Sequence, residues 1–147
     1  MFNKSIGLAL LLMGYLLPSQ AKDPEYPVSA IPANLKEKAH VVKRMEELTV
    51  RLVNPGEVRV TRHYVLTILD AKGDRYASIY EDYSKLKDVR SIKGRLLSAE
   101  GVELSKIRQN DITDVSGVGD EALMSDTRYK VYRFSWKVYP YTIEVET

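Results

Sequence analysis

Apolar and polar residues alternate with a period of two along most of this 147-residue chain. Within residues 41–53, Leu48, Val50 and Leu52 fall on one face, and Glu47, Thr49 and Arg51 on the other. That pattern predicts a half-buried strand, with the apolar face inward. Asn54-Pro55-Gly56-Glu57 reads as a type II turn, because Pro55 presets the first central φ and Gly56 tolerates a positive second one. Residues 58–69 are rich in Val, Thr, Tyr and Ile, and from Tyr64 to Leu69 both faces are apolar, which predicts an interior strand. Asp70-Ala71-Lys72-Gly73-Asp74 then predicts a glycine-bearing hairpin loop.

Tyr76, Ile79, Tyr80 and Tyr83 also fit helical spacing, but the β-rich surroundings favour a strand over 76–83. Residues 89–97 alternate again, with Ile92 and Leu96 inward and Ser91, Lys93 and Arg95 outward. Ser98-Ala99-Glu100-Gly101 turns the chain, with Gly101 in the left-handed position of a bulged hairpin, and 102–104 form a short return strand. Residues 105–127 have no clear period, which is long for a structureless loop, and a short helix is expected near 120–124. Over 128–138, Tyr132, Phe134, Trp136 and Val138 share a face. Pro140 breaks that run, and Tyr141, Ile143 and Val145 open a last strand. These elements predict an all-β fold: an antiparallel β-sandwich or a strongly curved sheet, with at most one or two short helices.

Two segments stand outside this pattern. Residues 1–21 read as a secretory signal peptide, with Lys4 as the positive region, an apolar core over 6–17 and a small-x-small ending at Ser19-Gln20-Ala21. Cleavage after Ala21 and export, to the periplasm, are the expectation. The stretch is too short and too glycine-interrupted for a span of ~20 apolar residues, and no stop-transfer segment follows, so no stable membrane span is expected. Residues 22–38 carry Pro24, Pro27 and Pro32 and predict an extended lead-in, a tether or an edge-hugging segment, with one helical turn over 34–38. Residues 39–147 are then one β-rich domain.

There is no cysteine, so disulfides, a lipid-modified cysteine and a thiol nucleophile are all excluded. The 126 residues left after cleavage suffice to bury a core without such staples. Twenty-two basic residues interleave with 20 acidic ones, and with export expected, nucleic acid is not a partner.

Candidate chemistry is sparse. Asp111, Asp114 and Asp120, with Ser116, Gly117 and Gly119, could wrap a hard cation such as calcium. Their spacing misses the EF-hand pattern, and the same residue types serve turns and caps. His40 and His63 are the only histidines; His63 reads as a packed strand residue beside Val65 and Leu69, and His40 as exposed. Tyr76, Tyr80, Tyr83, Tyr129, Tyr132, Tyr139 and Tyr141 could form an aromatic strip for a glycan or peptide, or simply fill a sheet core. Lys36-Glu37-Lys38, Lys43-Arg44 and Lys85-Leu86-Lys87 read as solvated surface. No residue is assigned to catalysis, cofactor binding or metal ligation.

The chain resembles the bacterial domain of unknown function that precedes the transglutaminase-like core in exported proteins. The likeness is carried by residues 26–32 (YPVSAIP), 66–74 (LTILDAKGD), 111–117 (DITDVSG) and 133–141 (RFSWKVYPY). It implies a β-rich module without assigned activity, beside a downstream Cys-His-Asp core that this chain lacks. No catalytic residue can be carried over, because no cysteine exists to receive the nucleophile's role. The expectation is a non-catalytic exported accessory or binding module with a peptide, glycan or protein partner. The alternative is the N-terminal fragment of a transglutaminase-like cysteine peptidase, truncated before its core. A last strand left unpaired at a sheet edge would invite association.

Overall fold

The computed structural model describes residues 25–117 and 127–147, and in them the period-two pattern becomes eight strands. In chain order these are β1 (Val41–Asn54), β2 (Glu57–Ile68), β3 (Ser78–Tyr83), β4 (Lys93–Leu97), β5 (Glu103–Lys106), β6 (Thr113–Ser116), β7 (Arg128–Arg133) and β8 (Tyr141–Glu146). They form two antiparallel sheets, ordered β1-β2-β8-β4-β5 and β3-β7-β6. One short helix, α1 (Ala33–Lys36), and three 3-10 turns complete the described residues. The all-β antiparallel expectation holds.

The two sheets share one core. Tyr64, Ile68, Leu96, Tyr141, Ile143 and Val145 come from the larger sheet, and Ile79, Phe134 and Ala77 from the smaller sheet and its margins. Val89 and Ile92, in the connection before β4, close it from the side. β2 is interior, as its doubly apolar second half predicts, and Val65 and Thr67 are buried on its opposite face. There the Thr67 and Thr142 hydroxyls meet at 2.9 Å, so a buried polar pair is mutually satisfied.

That opposite face is covered by the lead-in, which hugs the sheet rather than dangling from it. Ile31 is buried, the Arg44 guanidinium donates to the Tyr26 and Pro27 carbonyls, and the Glu25 and Val28 amides donate to Gly101 and Ala99. Gly101 takes φ +88°, the left-handed value its turn predicts, and a Cβ there would stand 2.5 Å from the Glu25 carbonyl oxygen.

Several expectations give way. Residues 70–74 are no hairpin loop: Asp70 caps a 3-10 turn, Ala71–Tyr76, by accepting the Lys72 amide at 2.9 Å. The turn carries the chain from one sheet to the other, which a hairpin cannot do, and it claims Tyr76 from the strand. The turn after β1 is present, but Gly56 is not in the left-handed region, so it is not type II; the Asn54 side chain accepts the Gly56 amide at 2.9 Å instead. The 89–97 strand begins only at Lys93. Residues 113–116, read as aperiodic loop, are the edge strand β6. The expected helix at 120–124 lies outside the described residues. The run 128–138 ends as a strand at Arg133: Phe134 stays buried and Trp136 packs at the core's margin, but Val138 is 68% exposed. β8 is not an edge strand at all. It lies between β2 and β4, in the middle of the larger sheet.

Candidate functional site

β1 and β2 outrun the rest of their sheet. Fourteen residues of strand reach roughly 45 Å, against roughly 20 Å for the six residues of β8. β8 follows β2 only as far as Arg62, whose amide and carbonyl exchange hydrogen bonds with Thr147. Beyond that point β1 and β2 run as a two-stranded arm, and residues 46–56 are all exposed.

The register decides what the arm displays. Val50 is paired with Val60, Leu52 with Val58 and Leu48 with Arg62, and cross-strand partners share a face. Along β2 the same parity continues to Tyr64, Leu66 and Ile68, which pack in or against the core. The stripe Leu48, Val50, Leu52, Val58 and Val60 is therefore the core face carried out into solvent, each side chain 53–71% exposed. This corrects the half-buried reading of β1, since alternation marks a face but does not cover it. Five such side chains make a patch on the order of 400 Å², the size of the largest apolar patch on a typical monomer, which is often functional.

A polar clamp separates stripe from core. The Arg62 guanidinium lies 4.8 Å over the Tyr64 ring and donates twice to Glu46 Oε1, at 2.8 and 2.6 Å. Lys43 and Arg62 together hold the Glu46 carboxyl below the usual range. Burial pushes the Tyr64 phenol up to about 12.

A second cluster occupies the opposite face of the sheet. Glu144 on β8 accepts from His63 Nε2 at 2.8 Å and from Arg95 Nε. Arg95 Nη2 continues to Glu25 in the lead-in at 2.5 Å, and Lys93 meets Glu146 at 2.9 Å. Arg95 and Glu144 are only 16% and 15% exposed. Burial opposes the Arg95 charge, but Glu144 and Glu25 more than offset this and raise its pKa. A cleft of about 470 Å³ opens here, lined by His63, Lys93, Arg95, Lys106 and Glu144 among others. Each of these carboxylates already holds a cation, so the cluster fastens the lead-in to the sheet. Sequence reasoning missed it; the signal lay in residues 141–147, where Thr142, Glu144 and Glu146 alternate with buried apolar residues.

The residues singled out from sequence do not converge. Asp114 sits in β6 and bonds the Tyr83 hydroxyl at 2.5 Å and Arg128 Nε at 2.9 Å, a lock across all three strands of the smaller sheet. Asp111 ends a separate 3-10 turn, and Asp120 lies outside the described residues. Among the described residues no three His, Asp or Glu side chains are grouped to hold a metal ion. His40 pairs with Asp70 at 2.7 Å, apart from His63, which pairs with Glu144. The tyrosines scatter. Tyr141 is fully buried, Tyr83, Tyr132 and Tyr139 pack against the core, and Tyr76 is exposed beside the Arg75 guanidinium. Only Tyr80 and Tyr129 share the outer face of the smaller sheet. Asp74 gathers the Tyr139 and Tyr141 hydroxyls at 2.8 and 3.1 Å and Lys137 Nζ at 2.6 Å, and Lys137 holds its carboxyl low.

Fold and surfaces together define a two-sheet antiparallel β-domain with an apolar arm. The chain belongs to the DUF3857 family, whose model, described as a Domain of Unknown Function with solved-structure structure, matches residues 54–147. No curated protein and no solved structure matches the chain. No helix among the described residues is long and apolar enough to cross a membrane.

Proposed function

We propose that this protein is an exported, non-catalytic accessory module that holds a protein or peptide partner against the apolar stripe of its arm. The observation that carries this reading is the stripe itself, five large aliphatic side chains continuous with the core face and left in water. Hydrophobic burial supplies most of the driving force in association, and the pairing of β1 with β2 sets these residues on one face. Export is supported by the leader-like residues 1–21. A glycan is the weaker fit, because the exposed aromatic rings are too dispersed to stack on one sugar chain.

The test places a photo-crosslinking residue at Val50 on the stripe or at Arg59 on the polar face, in the chain expressed in bacteria with its own leader. The reading expects the processed chain in the periplasmic fraction. It also expects adducts from Val50, identified by mass spectrometry and distinct from twice the chain's mass, that Arg59 does not give. Cytoplasmic retention of the unprocessed chain, or equal labelling from the two positions, would contradict it.

A further inference from the structure

Among the described residues β1 is the end strand of its sheet, and its outer edge is a second feature the arm leaves open. Of the described residues, the lead-in shields only the start of β1, at Arg44. Proteins usually blunt long edges with bulges, prolines or inward charges. Here the bulges fall at the two ends, between Lys43 and Met45 and between Leu52 and Asn54, and the stretch between them is regular.

The backbone directions on this edge can be read from the other side of the hairpin. Arg62 turns its N–H and C=O to Thr147, away from β1. Its register partner Leu48 therefore sends its own N–H and C=O outward, and alternation does the same for Glu46, Val50 and Leu52.

We infer that a second copy of this chain adds to this edge, antiparallel, about a two-fold axis at Thr49. In that register Leu48 and Val50 of one copy exchange backbone bonds with Val50 and Leu48 of the other, and Glu46 and Leu52 do likewise, about eight bonds in all. Glu47 then stands opposite Arg51 of the other copy, twice, at the non-hydrogen-bonded positions where side chains lie closest. Neither side chain makes a hydrogen bond or ion pair among the described residues. Within its own hairpin Arg51 is opposed by Arg59, a like-charge pair that costs stability until a carboxylate approaches.

The charges select both register and edge. Moving the axis to Leu48 sets Glu47 against Thr49 and Arg51 against Met45; moving it to Val50 sets them against Val53 and Thr49. The free stretch of β2 is no substitute. It presents Arg59, and its one acid, Glu57, already holds Arg90 at 2.9 Å. Pairing through β1 also brings two apolar stripes side by side on one face. It thus deepens the reading of the arm as a contact surface, yet it uses the arm's edge rather than its face, so either can fail alone.

The chain has no cysteine, so Thr49→Cys creates a single thiol at the proposed axis. Opposed strand positions there fall within disulfide reach. Under mild oxidation the T49C chain is expected to form a disulfide dimer at least about tenfold faster than the L52C chain, whose two thiols would stand roughly 20 Å apart. In sedimentation the unmodified chain is expected to dimerise. Glu47→Arg should weaken the dimer roughly tenfold, and the Glu47→Arg, Arg51→Glu double variant should restore it. Equal oxidation rates, a charge swap that fails to restore association, or a monomer at about 100 μM would each overturn the proposal.

Discussion

Tyr64 and Val60 lie four residues apart on the same face of β2, yet Tyr64 is buried in the core and Val60 is 53% exposed. On this face the two halves of the strand are alike: both carry apolar residues at alternate positions, both are β-rich, and both pair in register with β1. Only the opposite face differs, polar toward the tip and more apolar from Val65 onward. What separates Tyr64 from Val60 is company. Around Tyr64 the sheet gains β8, and the smaller sheet closes over it; around Val60 only β1 remains. One pattern thus serves stability at the base of the hairpin and is left free for contact at its tip.

Substitutions that treat the two halves alike in chemistry should separate them in energy. The largest effect is expected at the base. Ile143→Ala, at a fully buried position between β2 and β4, should cost about 3 kcal/mol in chemical denaturation, while Val60→Ala on the arm should stay within about 0.5 kcal/mol. Next comes the lead-in that seals the base. Gly101→Ala meets both the positive φ and the Glu25 backbone, and should cost about 2 kcal/mol and loosen the amides of residues 25–31 in hydrogen exchange.

A smaller effect comes with a pH signature. Lys137, then Tyr139 and Tyr141, hold the Asp74 carboxyl below its ordinary 3.8. A carboxyl whose folded pKa is depressed adds stability above its unfolded pKa and loses it as pH falls through the folded value. Asp74→Asn should therefore lower stability by about 1 kcal/mol at neutral pH, and in thermal melts the gap should begin to narrow below about pH 4 and close once pH falls below the folded value. A gap that persists unchanged in acid would mean that the carboxylate's charge is not what holds the two tyrosines.

Legibility in the sequence followed burial. β8 was readable because Tyr141, Ile143 and Val145 impose a period, β2 because its second half is apolar on both faces, and Gly101 because only a left-handed turn needs it there. β6 left no such trace: all four of its residues are exposed on a sheet edge, so no inward face repeats. The arm misled for the opposite reason. Leu48, Val50 and Leu52 keep a perfect apolar face, but whether a face is covered depends on the lengths of other strands. Strand lengths of 14 and 12 beside neighbours of four to six residues were the available hint of an overhang. The polar cluster was hidden by separation. His63 and Glu144 are 81 residues apart in the chain and meet only once β2 and β8 are set in register.

If the arm's apolar stripe is surface in the free protein, a matched pair of double variants will separate in stability. Val50→Thr with Val60→Thr changes the stripe, and Val65→Thr with Val145→Thr makes the same chemical change at two fully buried positions, all four keeping a β-branched side chain. Urea denaturation should place the arm pair within about 0.5 kcal/mol of the unmodified chain and the buried pair at least about 2 kcal/mol below it. An arm pair that loses as much as the buried pair would show the stripe packed in solution, and the account of the arm as an open contact surface would fall.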